Sequence, residues 1–338
     1  MDKEFHYWIT GIIADKAGFT NAETGTIAYS SQFVDDNDVD IAVYADEFDP
    51  TPSYRNQVSQ TINILLPRKQ LMTIYPSFHF IPGDQGDAAK RKDGKTHPLN
   101  TTPDSSYAKL ILQNALDAAT GYFNGTDVQG LFRLGIATHA FADTWAHQNF
   151  AGSWDEFNDM GKNITPDVGH ADALHHPDWV AHRWDDHRLA DPMVSNNSRY
   201  IAAARRIYYT YAEFLQSIDR NTSNIDGDWK TLEGILLGIF GTTSSGDSEQ
   251  GSEHRIKQYR QLVPFLAEYR DNAWQNAALR VKTAPKPGTD VYEERYIWLA
   301  GKDKTKTEWY LFQESVKAHA EAAENILQHV YALAGVSC

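Results

Sequence analysis

Residues 139–149, HAFADTWAHQN, place His139, Asp143 and His147 at i, i+4 and i+8. In a helix, that spacing keeps three side chains near one face, drifting about 40° per step. The surrounding run, 128–150, is strongly apolar, so the helix is read as buried and the three groups as projecting from one interior stripe. Two imidazoles and a carboxylate buried without partners are costly, and metal ions would satisfy all three. His139 and His147 are about 12 Å apart along the axis at ~1.5 Å per residue, so they are assigned to different ions. Asp143 lies between them and has two oxygens. The spacing predicts at least two metals with Asp143 able to bridge. The alternative is a core helix whose polar groups are met by neighbouring side chains.

Other residues could complete such a cluster. His6 opens the first helical segment, two residues after Glu4. Asp35, Asp36 and Asp38 follow a helix, where the negative end of its dipole calls for a positive partner. His79, in SFHFIPGD, is flanked by Phe78 and Phe80, and strand alternation would turn it away from both rings. GHADALHHPDW gathers His170, Asp172, His175, His176 and Asp178, with Gly169 permitting close backbone approach. Seven of the 13 histidines fall between 139 and 187, which does not read as solvated surface. The one cysteine is Cys338, so any ligands are His, Asp or Glu, a set that suits zinc, manganese or iron.

The 338 residues carry a net charge of −14, with a pI near 5.3. This argues against a long basic nucleic-acid groove and is compatible with a cation-filled site. There is no P-loop, no GxGxxG and no G-x-S-x-G nucleophile elbow. No run of 18 apolar residues and no signal peptide is visible in MDKEFHYWITGIIADKAGF, so a cytoplasmic protein is expected, or a secreted one if a leader has been removed.

The elements that must position these groups read as helical. Helices are expected over 4–17, 20–34, 104–122, 127–150, 178–188, 197–219, 227–240, 252–282 and 306–335. Extended character is expected only at 39–45 and 71–82, and loops at 83–103, 152–177, 241–251 and 283–291. The expected fold class is all-α: one multi-helix domain over 1–338 with long loops, a boundary near 241–251 being the second choice.

In this order, from His6 through Asp35 and Asp36, His79, His139-Asp143-His147 and Gly169-His170, the chain resembles the zinc-dependent phospholipase C and single-strand nuclease superfamily. HAFADTWAHQN is similar to the HALxDxxAHxN form of its divergent, poorly characterised branches. The resemblance covers about residues 4–188 and the helices that follow. It implies an all-α domain around two or three zinc ions, with manganese or iron as other choices. Asp36 (or Asp35), His79, His139 and Asp143 would hold one ion. Asp143 would bridge to a second, shared with His6. His147 and His170 would hold a third with one more carboxylate. Two departures stand out. Secreted members use a mature N-terminal Trp on the ion shared with the early His, whereas here Met1 lies five residues before His6, leaving Glu4 or a water as a substitute. The family also has an acid four residues after the last His, where this chain has Leu174. The replacement is sought among Asp172, His175, Asp178 and Asp186, with Asp178 favoured between Pro177 and Trp179.

The implied chemistry is metal-dependent hydrolysis of a phosphodiester such as a phospholipid, with Asp36 orienting or deprotonating the attacking water. Trp145, Phe78, Tyr75 and Trp154 are candidate pocket residues, with core packing as the alternative. A single-strand nuclease is the second reading. It would need stacking aromatics and a basic track, for which Arg205-Arg206 and Lys90-Arg91-Lys92 offer little, so no stable nucleic-acid partner is expected. A non-catalytic metal-binding scaffold is the third. Trp298, Trp309 and Tyr310 could meet lipid or pack inside.

Overall fold

The computed structural model describes residues 1–63, 65–161, 167–220, 224–285, 292–301 and 303–335. A π-helical segment, Glu4–Ile9, runs into α1 (Thr10–Ala17), and α2 (Asn21–Asp36) follows. Thr20 and Glu23 form a reciprocal capping box that fixes where α2 starts. Two short strands, β1 (Ala42–Tyr44) and β2 (Tyr54–Arg55), precede α3 (Arg68–Phe78), α4 (Ser106–Phe123) and α5 (Gly130–Ala146). Next come β3 (Arg183–Asp185), β4 (Met193–Ser195), α6 (Asn196–Ser217), α7 (Ile225–Phe240) and α8 (Glu249–Leu262). The chain closes with α9 (Ala273–Ala278), β5 (Leu279–Pro285), β6 (Tyr292–Trp298) and α10 (Glu308–Leu333).

α5 is the central element, packed by α4, α2, α10 and α6. All its residues but Arg133 are buried. Gly135 sets a close crossing with α2: a β-carbon there would lie 2.5 Å from the Ile27 carbonyl oxygen and 2.5 Å from Ser30 Cβ. Backbone contact at that point brings the C-terminal half of α5, with His139 and Asp143, alongside the acidic end of α2.

The all-α expectation is corrected. The fold is mixed α/β, 54% helical and 11% strand. A four-stranded sheet has the order β2-β1-β6-β5, with β1 and β6 parallel and the other pairs antiparallel. β3 and β4 form a separate pair. The region expected as one helix, 252–282, ends at Leu262 because Pro264 disfavours helical geometry in the residue before it. From Leu279 the chain pairs instead with YEERYIW, in the register Leu279↔Trp298. The loop expected at 283–291 begins inside β5, and its residues 286–291 lie outside the described residues, as do 162–166 of the loop at 152–177.

Two further expectations fail locally. Of the stretch 71–82, residues 71–78 form the end of a helix rather than a strand, because Leu71, Tyr75 and Phe78 recur at helical spacing and are buried together. Pro76 falls in the last turn, where its missing N–H removes a single bond. Residues 178–188 are not helical because side chains claim their carbonyls. Tyr200 donates to the Pro177 and Asp178 carbonyls, and the Asn196 amide donates to those of His176 and Trp179. Trp309 is fully buried and packs with Tyr54 and Trp298, so this aromatic group is interior. No described helix is long and apolar enough to cross a membrane.

Candidate metal centre

α5 ends at Ala146, and His147 occupies its C-cap, still donating its N–H to the Asp143 carbonyl at 2.8 Å. The three motif residues therefore keep nearly one stripe. Around them, donor atoms gather in three groups, each within 4.8 Å: His6, Asp35 and His139; His79, His139 and Asp143; and His147, His170 and Asp178. These buried His/Asp groups could hold metal ions. His139 belongs to two of them. Asp143 touches all three, because its Oδ1 lies 3.1 Å from His6 Nε2 and its Oδ2 lies 3.2 Å from both His79 Nδ1 and His139 Nε2 and 3.5 Å from His147 Nδ1.

Four imidazoles are oriented the same way. One ring nitrogen meets a backbone carbonyl: His79 Nε2 to Ser59 at 2.9 Å, and the Nδ1 atoms of His139, His147 and His170 to Ser31, His79 and Leu174, each at 2.8 Å. A carbonyl only accepts, so in the neutral ring that nitrogen carries the proton and the other turns a lone pair inward. His79 Nδ1 and His139 Nε2 consequently face each other at 3.1 Å. A cation among two lone pairs and a carboxylate oxygen at this separation would satisfy all three. Tetrahedral zinc bonds of about 2.0–2.1 Å place neighbouring donors roughly 3.3–3.4 Å apart. The distances here are 3.1, 3.2 and 3.2 Å, with Asp35 Oδ1 at 3.6 and 3.8 Å from the two imidazoles. His6 stacks on His139 with centroids 3.8 Å apart, and its buried Nδ1 has no hydrogen-bond partner among the described residues.

The electrostatics are compatible with cation binding. Burial lowers the pKa of His6, His139 and His147 to about 4, leaving these imidazoles neutral and able to ligate at neutral pH. Burial opposes ionisation of Asp143, but the His147 ring, the Met1 ammonium and the His139 and His6 rings hold it well below the usual carboxylate range. Asp178 is depressed in the same way, burial being outweighed by His170, the Met1 ammonium, His147 and His175. Asp35 is pushed up to about 6 by burial, against the pull of His6 and His79. The Met1 amino group lies 2.6 Å from Asp143 Oδ1, 3.4 Å from His147 Nε2 and 3.5 Å from Asp178 Oδ1, so positive charge already sits between the carboxylates.

Two sequence assignments are corrected. Asp36 does not face the cluster. It accepts from Tyr269 Oη at 2.6 Å and Gln32 Nε2 at 3.1 Å, because neighbouring helical residues point about 100° apart and Asp35 takes the inward direction. Glu4 is no substitute ligand. It is fully buried against Arg255 and Tyr259. Neither partner was singled out in the sequence, where only the buried character of EFHYWI hints that Glu4 needs a cation. Of the four residues considered in place of an acid at Leu174, Asp178 joins His147 and His170, and His175 Nδ1 rests 3.3 Å from its other oxygen. Asp186 pairs with Arg188, and Asp172 lies with Asp159 and Asp167 in a separate acidic group.

The cluster floors a cleft of about 560 Å³. Asp35, His79, His147, His170 and Asp178 line its base, and Ile62, Tyr75, Phe80, Val168, Leu174 and Trp179 form apolar walls. Of the expected pocket aromatics, Tyr75 is in the lining, while Phe78 stacks near His319 and Trp145 packs on Phe141. Trp154 is 38% exposed and is not among the described lining. Gly169, at φ +53°, has no room for a side chain: a β-carbon would lie 2.5 Å from the Phe80 ring. Leu174 holds φ 52° and ψ −131°, a conformation unfavourable for a residue with a β-carbon, and its carbonyl is the one that orients His170.

A family model described as a family of unknown function (DUF6765) matches residues 1–327. No curated protein and no solved structure matches the chain.

Proposed function

We propose that this chain, which belongs to the DUF6765 family of unknown function, is a phosphodiester hydrolase working at a cluster of two or three divalent ions, zinc being the first choice. The observation that carries the reading is the convergence of inward lone pairs from His79 and His139 on Asp143, flanked by His6 and Asp35 and, beyond Asp143, by His147, His170 and Asp178. Zinc prefers such nitrogen and oxygen donors, with manganese and iron as alternatives. The order of these residues, with its resemblance to the zinc-dependent phospholipase C and nuclease superfamily, supports the same class.

When bound, clustered divalent ions supply a lowered pKa for water and neutralise charge on phosphate and leaving oxygens. The chain's own residues do the rest. The carbonyls of Ser31, Ser59, His79 and Leu174 hold the imidazoles in one tautomer. Asp143 keeps negative charge at the centre of the cluster. Asp35, in the lining of the cleft and with its pKa raised to about 6 by burial, would accept a proton there in the role expected of Asp36. The apolar walls suit a substrate with an apolar portion, a phospholipid among them. Lys3 is the one Lys or Arg in the described lining, which favours a compact diester over a nucleic-acid strand.

Zinc-loaded protein assayed on a chromogenic diester, phospholipid micelles and single-stranded DNA tests this reading. Turnover of the diester, abolished by chelator and restored by zinc, is expected, with lipid favoured over DNA. Full metal loading without hydrolysis of any of the three would leave the scaffold reading in its place.

A further inference from the structure

One heavily hydrogen-bonded charged side chain near the cleft is not one of the candidate ligands. Arg255, on α8, is 6% exposed. Its Nε and Nη2 donate to the two Glu4 oxygens at 2.6 and 2.8 Å. Its Nη1 and Nη2 donate to Asp247 at 2.9 and 3.0 Å. Tyr259, one turn along α8, donates to Glu4 at 2.7 Å. Each carboxylate is tied to a segment that carries a candidate ligand, Glu4 by lying in it and Asp247 by a hydrogen bond to it. Glu4 precedes His6 by two residues in the π-helical segment, so the two side chains leave the axis about half a turn apart. One side is gripped by Arg255 while the other presents His6 to Asp143. Asp247 also accepts from the Ala181 N–H at 3.0 Å, three residues after Asp178, and the Ser244 N–H donates to the Ala181 carbonyl at 2.9 Å.

We infer that Arg255 is a positioning residue of the metal centre: it fixes the rotation of the segment that carries His6 and ties that segment, through Asp247, to the strand of chain that carries Asp178. The inference rests on the metal-centre reading for its effect on ions but not for its effect on the segment. A planar fork with five donors suits two carboxylates at once, and a lysine cannot reproduce it. Isolated surface pairing would not need this geometry, and a purely structural pair would leave the ions indifferent.

The experiment compares the full-length wild type, Arg255→Lys and Arg91→Lys. Arg91 is similarly buried, at 8%, and pairs with Asp93 away from the cleft. Zinc affinity is read by competition with a chelator, cobalt-substituted protein by its visible spectrum, and residues 4–9 and 178–183 by hydrogen exchange. Arg255→Lys should weaken one class of zinc about 10–100-fold, as changes behind first ligands do. It should also alter one component of the cobalt spectrum and speed exchange in both segments, while Arg91→Lys changes none of these. Unchanged zinc affinity and unchanged exchange in Arg255→Lys, or equal losses in Arg91→Lys, would overturn the inference. If Arg255→Lys does not fold, Tyr259→Phe removes one bond to Glu4 and should produce the same pattern at smaller amplitude; a Tyr259→Phe protein with wild-type zinc affinity and exchange would overturn it equally. A wild type that binds no metal, with exchange at 4–9 still faster in Arg255→Lys, overturns the metal reading and leaves the clamp standing.

Discussion

Among the described residues, two places gather metal-type side chains within 4.8 Å, and they differ in how those side chains are held. At the cleft, imidazoles alternate with carboxylates, the groups are largely buried, and four rings are pinned to backbone carbonyls so that their free nitrogens point inward. Asp159, Asp167 and Asp172 form the second place, an all-carboxylate group whose first member is exposed. There, Met160 N–H caps Asp172 and Gly161 N–H caps Asp159, which are the ordinary contacts of an acidic turn. Proximity is common to both. Of these two places, preorganisation of the donor atoms belongs to the cleft alone, and it is what would distinguish a site for ions from a loop that carries acids.

The comparison breaks most directly at Asp143. Asp143→Ala should remove the bridge between all three donor groups and lower zinc affinity by more than the ~100-fold typical of outer-shell changes, as read by chelator competition. It also leaves the buried Met1 ammonium without its 2.6 Å partner, so thermal stability measured on the metal-free protein should drop too. An Asp143→Ala protein with wild-type metal content would place the ions elsewhere.

Gly135→Ala should come next. Its new methyl would meet the Ile27 carbonyl and Ser30 of α2, and overpacking of this kind costs about 1–3 kcal/mol. Because α2 also supplies Asp35 and the Ser31 carbonyl, zinc affinity should fall along with the melting temperature. Loss of stability with affinity intact would separate the helix crossing from the site.

Acid offers a graded test. His6, His139 and His147 have folded pKa values near 4, below the ordinary 6.5, so the unfolded chain binds protons that the folded chain refuses. Stability of the metal-free protein should decline as pH falls from about 6.5 toward 4. Below that, protonation of the depressed Asp143 and Asp178 should remove the rest. Chemical denaturation at pH 7.5 and pH 5 checks the sign, and a protein more stable at pH 5 would contradict the buried neutral imidazoles.

The smallest effect is expected at the second place. Asp167→Asn should leave zinc content and affinity within twofold of wild type, since surface substitutions away from special features usually shift stability by no more than about 0.5 kcal/mol. A large loss of metal there would erase the contrast.

Much of the cleft was legible because its residues repeat at helical spacing or cluster in sequence. The i, i+4, i+8 stripe of α5 and the histidine-rich 170–178 stretch needed no tertiary knowledge. What could not be read depended on distant partners. Asp35 and Asp36 are equivalent in sequence, and only Tyr269, far along the chain, shows which one turns inward. Glu4 looked available until Arg255 claimed it. The helix expected at 178–188 lost its carbonyls to Tyr200 and Asn196, and β5 and β6 found each other across a connection that apolar periodicity does not reveal. Helical positions around the core followed local pattern, whereas the sheet and the outer contacts of the site followed pairings set by the fold.

Elemental mass spectrometry of the purified protein, beside the His139→Ala, Asp143→Ala double variant, tests the central claim most directly. Two or three zinc, manganese or iron ions per chain, lost in the variant, is the predicted result. Less than one ion per chain after reconstitution would contradict the metal centre and the hydrolysis built on it.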